Sequence, residues 1–215
     1  MTFEEICRLV KRMAETSQTT LALFALTLLF AIPLALPLVL GRTSRIAPIR
    51  WVSQAYLLVV RGTPLMLQLI LLFYGLPLPS WGLSRFQVAV VAFSLNYAAY
   101  FAEIYRGGLE SIPAGQYEAA NVLGFSKVQT FFRIVLPQVV KKILPPMGNE
   151  FITLVKDTSL ALIIGVVEIS SLAQKEQARA VTIIPVVVAG MFYLLMNAVV
   201  SGCMHLAEKK LSYYR

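Results

Sequence analysis

Unbroken apolar stretches of about twenty residues dominate this chain of 215 residues. A stretch of that length crosses the hydrocarbon core of a bilayer as an α-helix, which also satisfies its own backbone hydrogen bonds. Only 14% of the residues are charged, whereas soluble chains carry roughly 25%. The ten-residue alternating strands of a membrane barrel are not evident. The sequence therefore predicts an all-α polytopic membrane protein.

Five transmembrane helices are predicted, in one membrane domain at residues 17–215 that follows an amphipathic interfacial segment at residues 1–16. The interfacial segment is indicated by apolar residues at three-to-four spacing, from Phe3 to Met13. The spans are expected at about residues 18–40, 55–76, 86–105, 143–172 and 181–206, with the fourth broken near residues 156–159 and a long loop at about 107–142. Pro33 and Pro37 are expected to kink the first span.

Basic residues are distributed unequally between the two sides that five spans define. One side would carry eleven of them, including Arg215, and the other side six. Because the side richer in Lys and Arg is normally cytoplasmic, we expect the N-terminus outside and the long loop and C-terminus inside. The same distribution accounts for the net charge of +8 without a nucleic-acid partner.

The long loop contains a polar segment, residues 118–137, that is compatible with two short helices joined by a turn. We call this segment the elbow. Glu118, Ala119 and Ala120 favour a helix of about two turns. Gly124 can end that helix in the left-handed conformation, and Pro137 is expected to punctuate the chain before the next apolar run. These local properties leave open whether the elbow is a docking element or a connector that lies on the lipid surface.

Several polar or ionisable side chains fall inside the predicted spans. A charge at bilayer depth costs several kcal/mol and normally faces a cavity or a partner. The continuous polar run of residues 156–159 indicates a broken helix beside a water-filled or ligand-filled space. The residues that we expect to line a transport pathway are Arg61, Gly62, Asn96, Glu103, Glu150, Asp157, Thr158 and Ser159.

Each of these side chains also has a purely structural interpretation. Glu103 could pair with Arg106 one turn later, and Arg61 could pair with an acid of the fourth span and only tie helices together. Asn96 could make an interhelical hydrogen bond.

The elbow and three further motifs resemble the permease subunits of bacterial ATP-binding-cassette importers. The elbow has Glu-Ala-Ala, then Gly124 after three residues, and then Ile134, Leu136 and Pro137 at the spacing of that family's EAA loop. RGTP from Arg61, YFAEIYRGGLESIP from Tyr100 and KDTSL from Lys156 resemble the subgroup for polar and charged amino acids, of the histidine, glutamine and arginine type. The resemblance runs from about Thr16 to the C-terminus.

The resemblance implies a half-transporter in the bacterial cytoplasmic membrane. Two such subunits, identical or paralogous, would form a dimer above two separate ATPase subunits, and an extracytoplasmic binding protein would deliver an amino acid. The elbow would couple the two parts through Glu118, Ala119, Ala120, Gly124, Phe125, Ile134, Leu136 and Pro137. We expect no cofactor, no metal and no enzymatic activity of this chain, since it has no phosphate-binding loop and no metal-ligand cluster.

The sequence favours arginine, lysine or histidine as cargo, because several acids lie at bilayer depth. Arg61 or the N-terminus of a half-helix could receive the carboxylate of the amino acid. Glutamine or glutamate is the alternative, since the same motifs occur in relatives of that type. Hypotheses of another class are an ion-coupled secondary transporter, which would leave the elbow without a purpose, and a membrane scaffold whose buried charges only strengthen helix packing.

Overall fold

A computed structural model describes residues 1–211 of the chain, and this part consists of helices without a β-strand. The predicted all-α class is therefore confirmed. Arg215, which entered the prediction of sidedness, lies outside the described residues. The helices are α1 (Phe3–Arg42), α2 (Ala47–Gly62), α3 (Leu65–Ile70), α4 (Arg85–Glu110), α5 (Ala114–Val122), α6 (Lys127–Thr130), α7 (Leu136–Asp157), α8 (Ile169–Ala180) and α9 (Ile184–Lys210).

Short segments of other helical geometry join these elements. A π-helical turn follows α3 at Leu71–Gly75 and another follows α6 at Phe131–Val135. Segments of 3₁₀-helix cover Pro79–Trp81 and Thr158–Ile164. The segment after α7 therefore changes its hydrogen-bonding pattern inside the polar run where the sequence predicts a broken helix.

The predicted interfacial segment and the first predicted span are one continuous helix, α1. A capping box begins it, in which the Thr2 hydroxyl accepts from the Glu5 N–H and the Glu5 carboxylate accepts from the Thr2 N–H. The helix then runs for 40 residues and passes through Pro33 and Pro37. The amphipathic and apolar parts are therefore not separated by a loop.

Three helices of the described part, α1, α4 and α9, are long and apolar enough to cross a membrane. Helices α2 and α3 pass the same test only together, as a pair bent by 108°. The bend lies at Thr63 and Pro64, where proline has no N–H to donate and disfavours helical geometry in the residue before it. Since α7 is not among these spans, although it packs on α4 and α9, the predicted count of five is approximate.

Helix α4 lies at the centre of the packing. Of the 18-residue apolar stretch that qualifies α4 as a span, 67% is buried, compared with 17% for the corresponding stretch of α9. Phe93, Tyr97 and Phe101 are fully enclosed, and Gly108 has no side chain where α7 passes, so that a Cβ there would collide with Ile143. Close contact along both halves of α4 holds the other helices in place.

A separate apolar cluster closes the end of the molecule where α1 begins. It consists of Leu9, Met13, Ile169, Leu172, Ala173 and Ala189, from α1, α8 and α9. Beside it, the buried Glu176 of α8 accepts hydrogen bonds from Arg12 of α1 and from Arg179. The elbow follows the other end of α4, which at 26 residues is about 39 Å long. The α8 end and the elbow are therefore at opposite ends of the helix bundle.

Candidate functional site: a coupling elbow and a polar helix face

The first elbow helix ends in a Schellman motif. Gly124 has a φ of 77°, the left-handed conformation expected for it. The Gly124 N–H donates to the Asn121 carbonyl at 3.0 Å, and the Phe125 N–H donates to the Ala120 carbonyl at 3.0 Å. These two bonds satisfy carbonyls that the end of a helix leaves without a partner. The turn therefore depends on a residue that tolerates positive φ.

The second elbow helix is not a separate unit. Ser126 begins it with a capping box, accepting from the Gln129 N–H at 3.3 Å while the Gln129 side chain accepts from the Ser126 N–H at 2.8 Å. It continues through the π-helical turn into α7. Pro137 is the second residue of α7 and directly follows the π-helical turn, whose altered hydrogen-bonding pattern accommodates a residue without an N–H. The expected stop before Pro137 is thus absent.

The residues of the Glu-Ala-Ala motif point to different sides. Ala120 is 1% exposed and holds α5 against the chain, whereas Glu118 and Ala119 are exposed. Gly124 is exposed as well, and Phe125, Ile134, Leu136 and Pro137 are half-buried. A groove of about 600 Å³ runs along the elbow, lined by Tyr117, Glu118, Asn121, Phe125, Lys127, Thr130 and Phe131.

Three apolar side chains at the tip of the elbow were missed by the sequence analysis. Val122 is 87% exposed, Leu123 is 73% exposed and Val128 is 66% exposed. They flank Gly124 on both sides. Their position next to this predicted turn was the sequence feature that could have identified them as exposed. Apolar side chains gathered on a turn outside the spans indicate a surface that is covered in an assembly.

Glu103 is the centre of an ion cluster rather than a free acid. Its Oε2 lies 2.9 Å from Arg106 Nη2 and 3.6 Å from Arg61 Nη1, and its Oε1 lies 3.4 Å from Arg42 Nε. Arg106 also binds Glu110. The cluster joins α1, α2 and α4. Glu103 therefore makes the ion pair with Arg106 that its structural interpretation requires. Arg61 pairs with Glu103 and not with an acid of the predicted fourth span.

Asn96 belongs to a hydrogen-bond chain that supports the bend between α2 and α3. Its Nδ2 donates to Gln68 Oε1 at 3.0 Å, and Gln68 Nε2 donates to the Val60 carbonyl at 2.8 Å and to the Thr63 hydroxyl at 2.8 Å. In an unbroken helix the Val60 carbonyl would accept from residue 64, but Pro64 has no N–H. The Gln68 amide replaces that missing donor.

Asp157, Thr158 and Ser159 lie together at the end of α7. The Tyr97 hydroxyl donates to Asp157 Oδ2 at 2.8 Å across the contact between α4 and α7. The hydroxyls of Thr158 and Ser159 each donate to the carbonyl three residues earlier, at 2.7 Å. Thr158 is also fully buried. Its hydroxyl therefore satisfies the local backbone, and only Asp157 and Ser159 remain partly accessible.

The helix N-terminus nearest to this break, that of α8, is already occupied. Glu168 is fully buried and its carboxylate accepts from the N–H groups of Ser170 at 2.8 Å and Ser171 at 2.7 Å. The Tyr193 hydroxyl donates to the same carboxylate at 2.7 Å. The sequence analysis missed Glu168, because Glu is not among the residues usually found at an N-cap and the acid therefore gave no clear helix-start signal.

One face of α7 is polar and exposed. Asn149, Thr153 and Lys156 are exposed and are spaced by four and three residues, so they lie on the same side of the helix. Glu150 and Asp157 lie at the edge of this face and are half-buried. Glu150 makes no hydrogen bond or ion pair with any of residues 1–211. Because α7 packs between two apolar spans, lipid cannot cover such a face, which requires water, a ligand or another subunit.

An all-α membrane protein with an exposed elbow and a polar helix face among apolar spans belongs to the class of pathway-forming transport subunits. The chain belongs to the family described as binding-protein-dependent transport system inner membrane component, whose model matches residues 28–213. Together with the relatives and the solved structure described next, this match confirms the predicted resemblance to permease subunits of ATP-binding-cassette importers for amino acids.

Two curated relatives are proteins of Bacillus subtilis (strain 168). The L-cystine transport system permease protein TcyB is 41% identical over 197 residues, which cover 91% of this chain and 84% of the relative. The arginine transport system permease protein ArtQ is 35% identical over 194 residues, which cover 89% of each chain.

Solved structures show the same fold. A chain of an amino acid ABC transporter with histidines is 30% identical and superimposes with a TM-score of 0.87, over 98% of this chain and 99% of that one. A chain of the MetNI methionine ABC transporter in an inward facing conformation is 16% identical, with a TM-score of 0.76 over 98% of this chain and 99% of that one. The second likeness shows the fold alone.

Proposed function

We propose that this permease subunit forms the membrane pathway of an ATP-driven importer for a basic L-amino acid, with arginine, lysine or histidine as cargo. The observation that carries the proposal is the polar face of α7, which is bordered by the two acids Glu150 and Asp157 and lies between apolar spans. In the dimer, this face would border a space shared with the second subunit, a copy or a paralogue. A stand-alone ion-coupled carrier or a scaffold does not explain the exposed apolar elbow.

Glu150 and Asp157 are the acids that we propose for the cationic side chain or the ammonium group of the cargo. Glu150 has no hydrogen-bond or ion-pair partner within the described residues, and Asp157 receives only the Tyr97 hydroxyl. Glu103 is a weaker candidate than the sequence suggested, because three arginines already neutralise it. Ser159 would contribute at the edge of the face.

Arg61 is our candidate for the carboxylate of the cargo. Its side chain is 42% exposed, and its guanidinium lies 3.6 Å from the Glu103 carboxylate, which is long for an ion pair. It lies over the Tyr100 ring, 5.6 Å from the ring centre. A cleft of about 500 Å³ beside it is also lined by Gly62 and Gln54. Asn96 would act indirectly by supporting the bend that positions Arg61 and Gly62.

Glutamine or glutamate is the alternative cargo. The relatives include permeases named for L-cystine, arginine and glutamine, so membership of the family does not decide between a basic and a neutral side chain. The carboxylate of Glu150, which makes no hydrogen bond or ion pair within residues 1–211, favours the basic side chain, because a cationic cargo would compensate its charge.

The elbow is our candidate for the contact with the ATPase subunits. Glu118, Ala119 and Gly124 lie on its exposed surface beside Val122 and Leu123. Apolar side chains that surround a turn at the end of the long α4 are suited to a socket in another protein. This proposal places the elbow in the cytoplasm and the α8 end outside, where a binding protein would deliver the cargo, and it assigns ATP hydrolysis to the partner subunits.

The test is cargo-stimulated ATPase activity of this subunit, reconstituted in vesicles with its ATPase and binding protein. Stimulation by basic amino acids is expected, and Glu150→Gln should raise the cargo concentration needed for half-stimulation about tenfold or more. Glu15→Gln removes an equal charge from an exposed site on α1 and should change nothing. Stimulation by glutamine alone, with no effect of Glu150→Gln, would reject the basic cargo but leave the family unaffected.

A further inference from the structure

A cleft of about 570 Å³ lies between the elbow and the first turns of α7, N-terminal to the polar face of that helix and on the same side of it. Its wall consists of Gln116, Arg133, Ile134, Pro137, Gln138, Lys141, Lys142 and Pro145. Every ionisable residue of this wall is basic. Two amides and three apolar residues complete it, so the cleft is cationic on one part and apolar on the other.

The cations of the cleft are only partly compensated. Lys142 Nζ donates to the Ser111 carbonyl at 2.6 Å, which fixes the ammonium group but does not neutralise it. Arg133 and Lys141 make neither a hydrogen bond nor an ion pair with any of residues 1–211. By contrast, Arg42 and Arg61, which border the cleft beside the Glu103 cluster, share a carboxylate. Three cations around one cavity repel each other unless an anion enters.

The amides of the cleft are held in place as well. Gln138 Nε2 donates to the Ile134 carbonyl at 2.8 Å and to Gln116 Oε1 at 3.2 Å. These bonds link α5 to the start of α7, so the two walls of the cleft keep their separation. The π-helical turn at Phe131–Val135 brings Arg133 to the same cleft as the lysines eight and nine residues later. The cationic arrangement is thus built by the fold and does not arise from neighbouring surface lysines alone.

The position of the cleft indicates where its anion would come from. Lys141 and Lys142 directly precede the apolar run that begins at residue 143, and basic side chains at the end of an apolar run are suited to reach lipid headgroups. Ile134, Pro137 and Pro145 offer apolar contact next to the cations. Anionic headgroups at the cytoplasmic surface attract basic clusters that lie close to the end of a membrane segment, and basic pockets on that side of membrane proteins bind phospholipid headgroups.

We propose that this cleft binds a phosphate-bearing anion, supplied by the headgroup of an anionic membrane phospholipid. Arg133 would contact two phosphate oxygens through its planar guanidinium, and Lys141 and Lys142 would add point charges. The cleft adjoins the elbow, so an occupied cleft would also strengthen the contact between α5 and α7. This site is independent of the identity of the cargo.

The test is the retention of phosphatidylglycerol by the complete complex, purified in detergent and examined by native mass spectrometry. The wild type should keep a bound phosphatidylglycerol in preference to phosphatidylcholine. The variant Arg133→Gln/Lys141→Gln should bind it about 30-fold more weakly, because each cation near an anionic surface contributes about fivefold. The charge-conserving variant Arg133→Lys/Lys141→Arg should retain most of the binding, which separates the loss of charge from a folding defect.

The matched control is Arg45→Gln/Lys210→Gln. This control also removes two positive charges, one from an arginine and one from a lysine, on the side that we propose to be cytoplasmic. Both residues are exposed and lie outside the cleft. Equal lipid retention in the control and in the cleft variant would overturn the proposal, and so would equal retention of phosphatidylglycerol and phosphatidylcholine by the wild type.

A second arm distinguishes the lipid from a free anion. Inorganic phosphate is added to the complex in phosphatidylcholine nanodiscs, and the unfolding temperature is followed. An increase that the cleft variant abolishes and the control variant keeps would support the anion site with a soluble source. If neither phosphate nor phosphatidylglycerol stabilises the complex, the cleft is not an anion site.

Discussion

The Tyr97 hydroxyl donates a hydrogen bond of 2.8 Å to the Asp157 carboxylate, which joins the middle of α4 to the last residue of α7. Tyr97 itself is 2% exposed. The bond therefore fixes the direction of one of the two acids that we propose for the cargo, and it does so from the best-packed helix of the bundle.

Replacing Tyr97 with Phe should weaken this arrangement without changing the volume of the core. Loss of a hydrogen bond to a charged group costs about 1.5–3 kcal/mol, so the unfolding temperature of the purified subunit should fall. The half-stimulating cargo concentration of the ATPase assay should rise as well. Tyr105→Phe is the control, because that hydroxyl makes only a 3.4 Å contact with the Ile32 carbonyl. An equal effect of both changes would show that Asp157 does not depend on Tyr97.

Gly124→Ala should impair coupling through the elbow. An L-residue in the left-handed region costs about 1–2 kcal/mol, and Gly124 has a φ of 77°. We expect weaker association with the ATPase subunits, measured by co-purification, and reduced cargo stimulation. Gly115→Ala is the matched change, because Gly115 belongs to α5, the helix that the Gly124 turn ends. Gly115 does not have a positive φ, and a Cβ there would lie in open space. If both variants couple like the wild type, the geometry of the Gly124 turn is irrelevant to docking.

Gly108→Ala should destabilise the subunit, since the new Cβ would collide with Ile143 where α4 and α7 cross. Overpacking of this kind costs about 1–3 kcal/mol. Gly107→Ala places the same atom in open space and should be neutral or slightly stabilising. The double change Gly108→Ala/Ile143→Ala should recover part of the loss in a thermal unfolding assay. An equal loss in the single and double variants would place the strain elsewhere.

The ion bridge between α1 and α8 should make stability depend on pH. Burial raises the pKa of Glu176, but the Arg12 hydrogen bond and the charges of Arg12 and Arg179 outweigh burial and lower it below the ordinary 4.5. A group whose pKa falls on folding stabilises the protein above its unfolded pKa, and this contribution disappears as the pH drops through the folded pKa. Glu176→Gln should therefore flatten the decline of the unfolding temperature below about pH 4.5.

Glu4→Gln is the control for this measurement, because the Glu4 side chain is 83% exposed in its pair with Arg8 and such pairs contribute little. A Glu176→Gln variant that keeps the full acid dependence of the wild type would contradict this assignment.

The features that could be predicted from sequence are those that local chemistry decides. The turn at Gly124 follows from the conformational freedom of glycine, and the elbow helices follow from alanine and the Ser126 cap. The bend at Pro64 carried a local signal too. The predicted span at residues 55–76 nevertheless included this bend, because apolar residues continue on both sides of Pro64 and were assigned to one helix.

The features that could not be predicted connect distant parts of the chain. Three arginines meet at Glu103 from three different helices, and Tyr97 reaches an acid 60 residues away. Hydropathy and spacing carry no information on which side chains converge in space. Glu168 and Glu176 were missed for a related reason, since α8 occupies a region that the sequence analysis divided between the end of a span and a loop.

The continuity of α1 has a mechanical consequence. Arg12 and Arg42 belong to one helix, about 45 Å apart along its axis, and each enters an ion cluster at its own end of the bundle. If the helix moves as a rigid rod, a tilt of about 5° would displace one end by about 4 Å relative to the other. A movement at one face would therefore be transmitted to the other face. Pro33 and Pro37 interrupt its hydrogen-bond ladder near the Arg42 end, so bending there would let the Arg42 cluster move while the Arg12 bridge keeps its place.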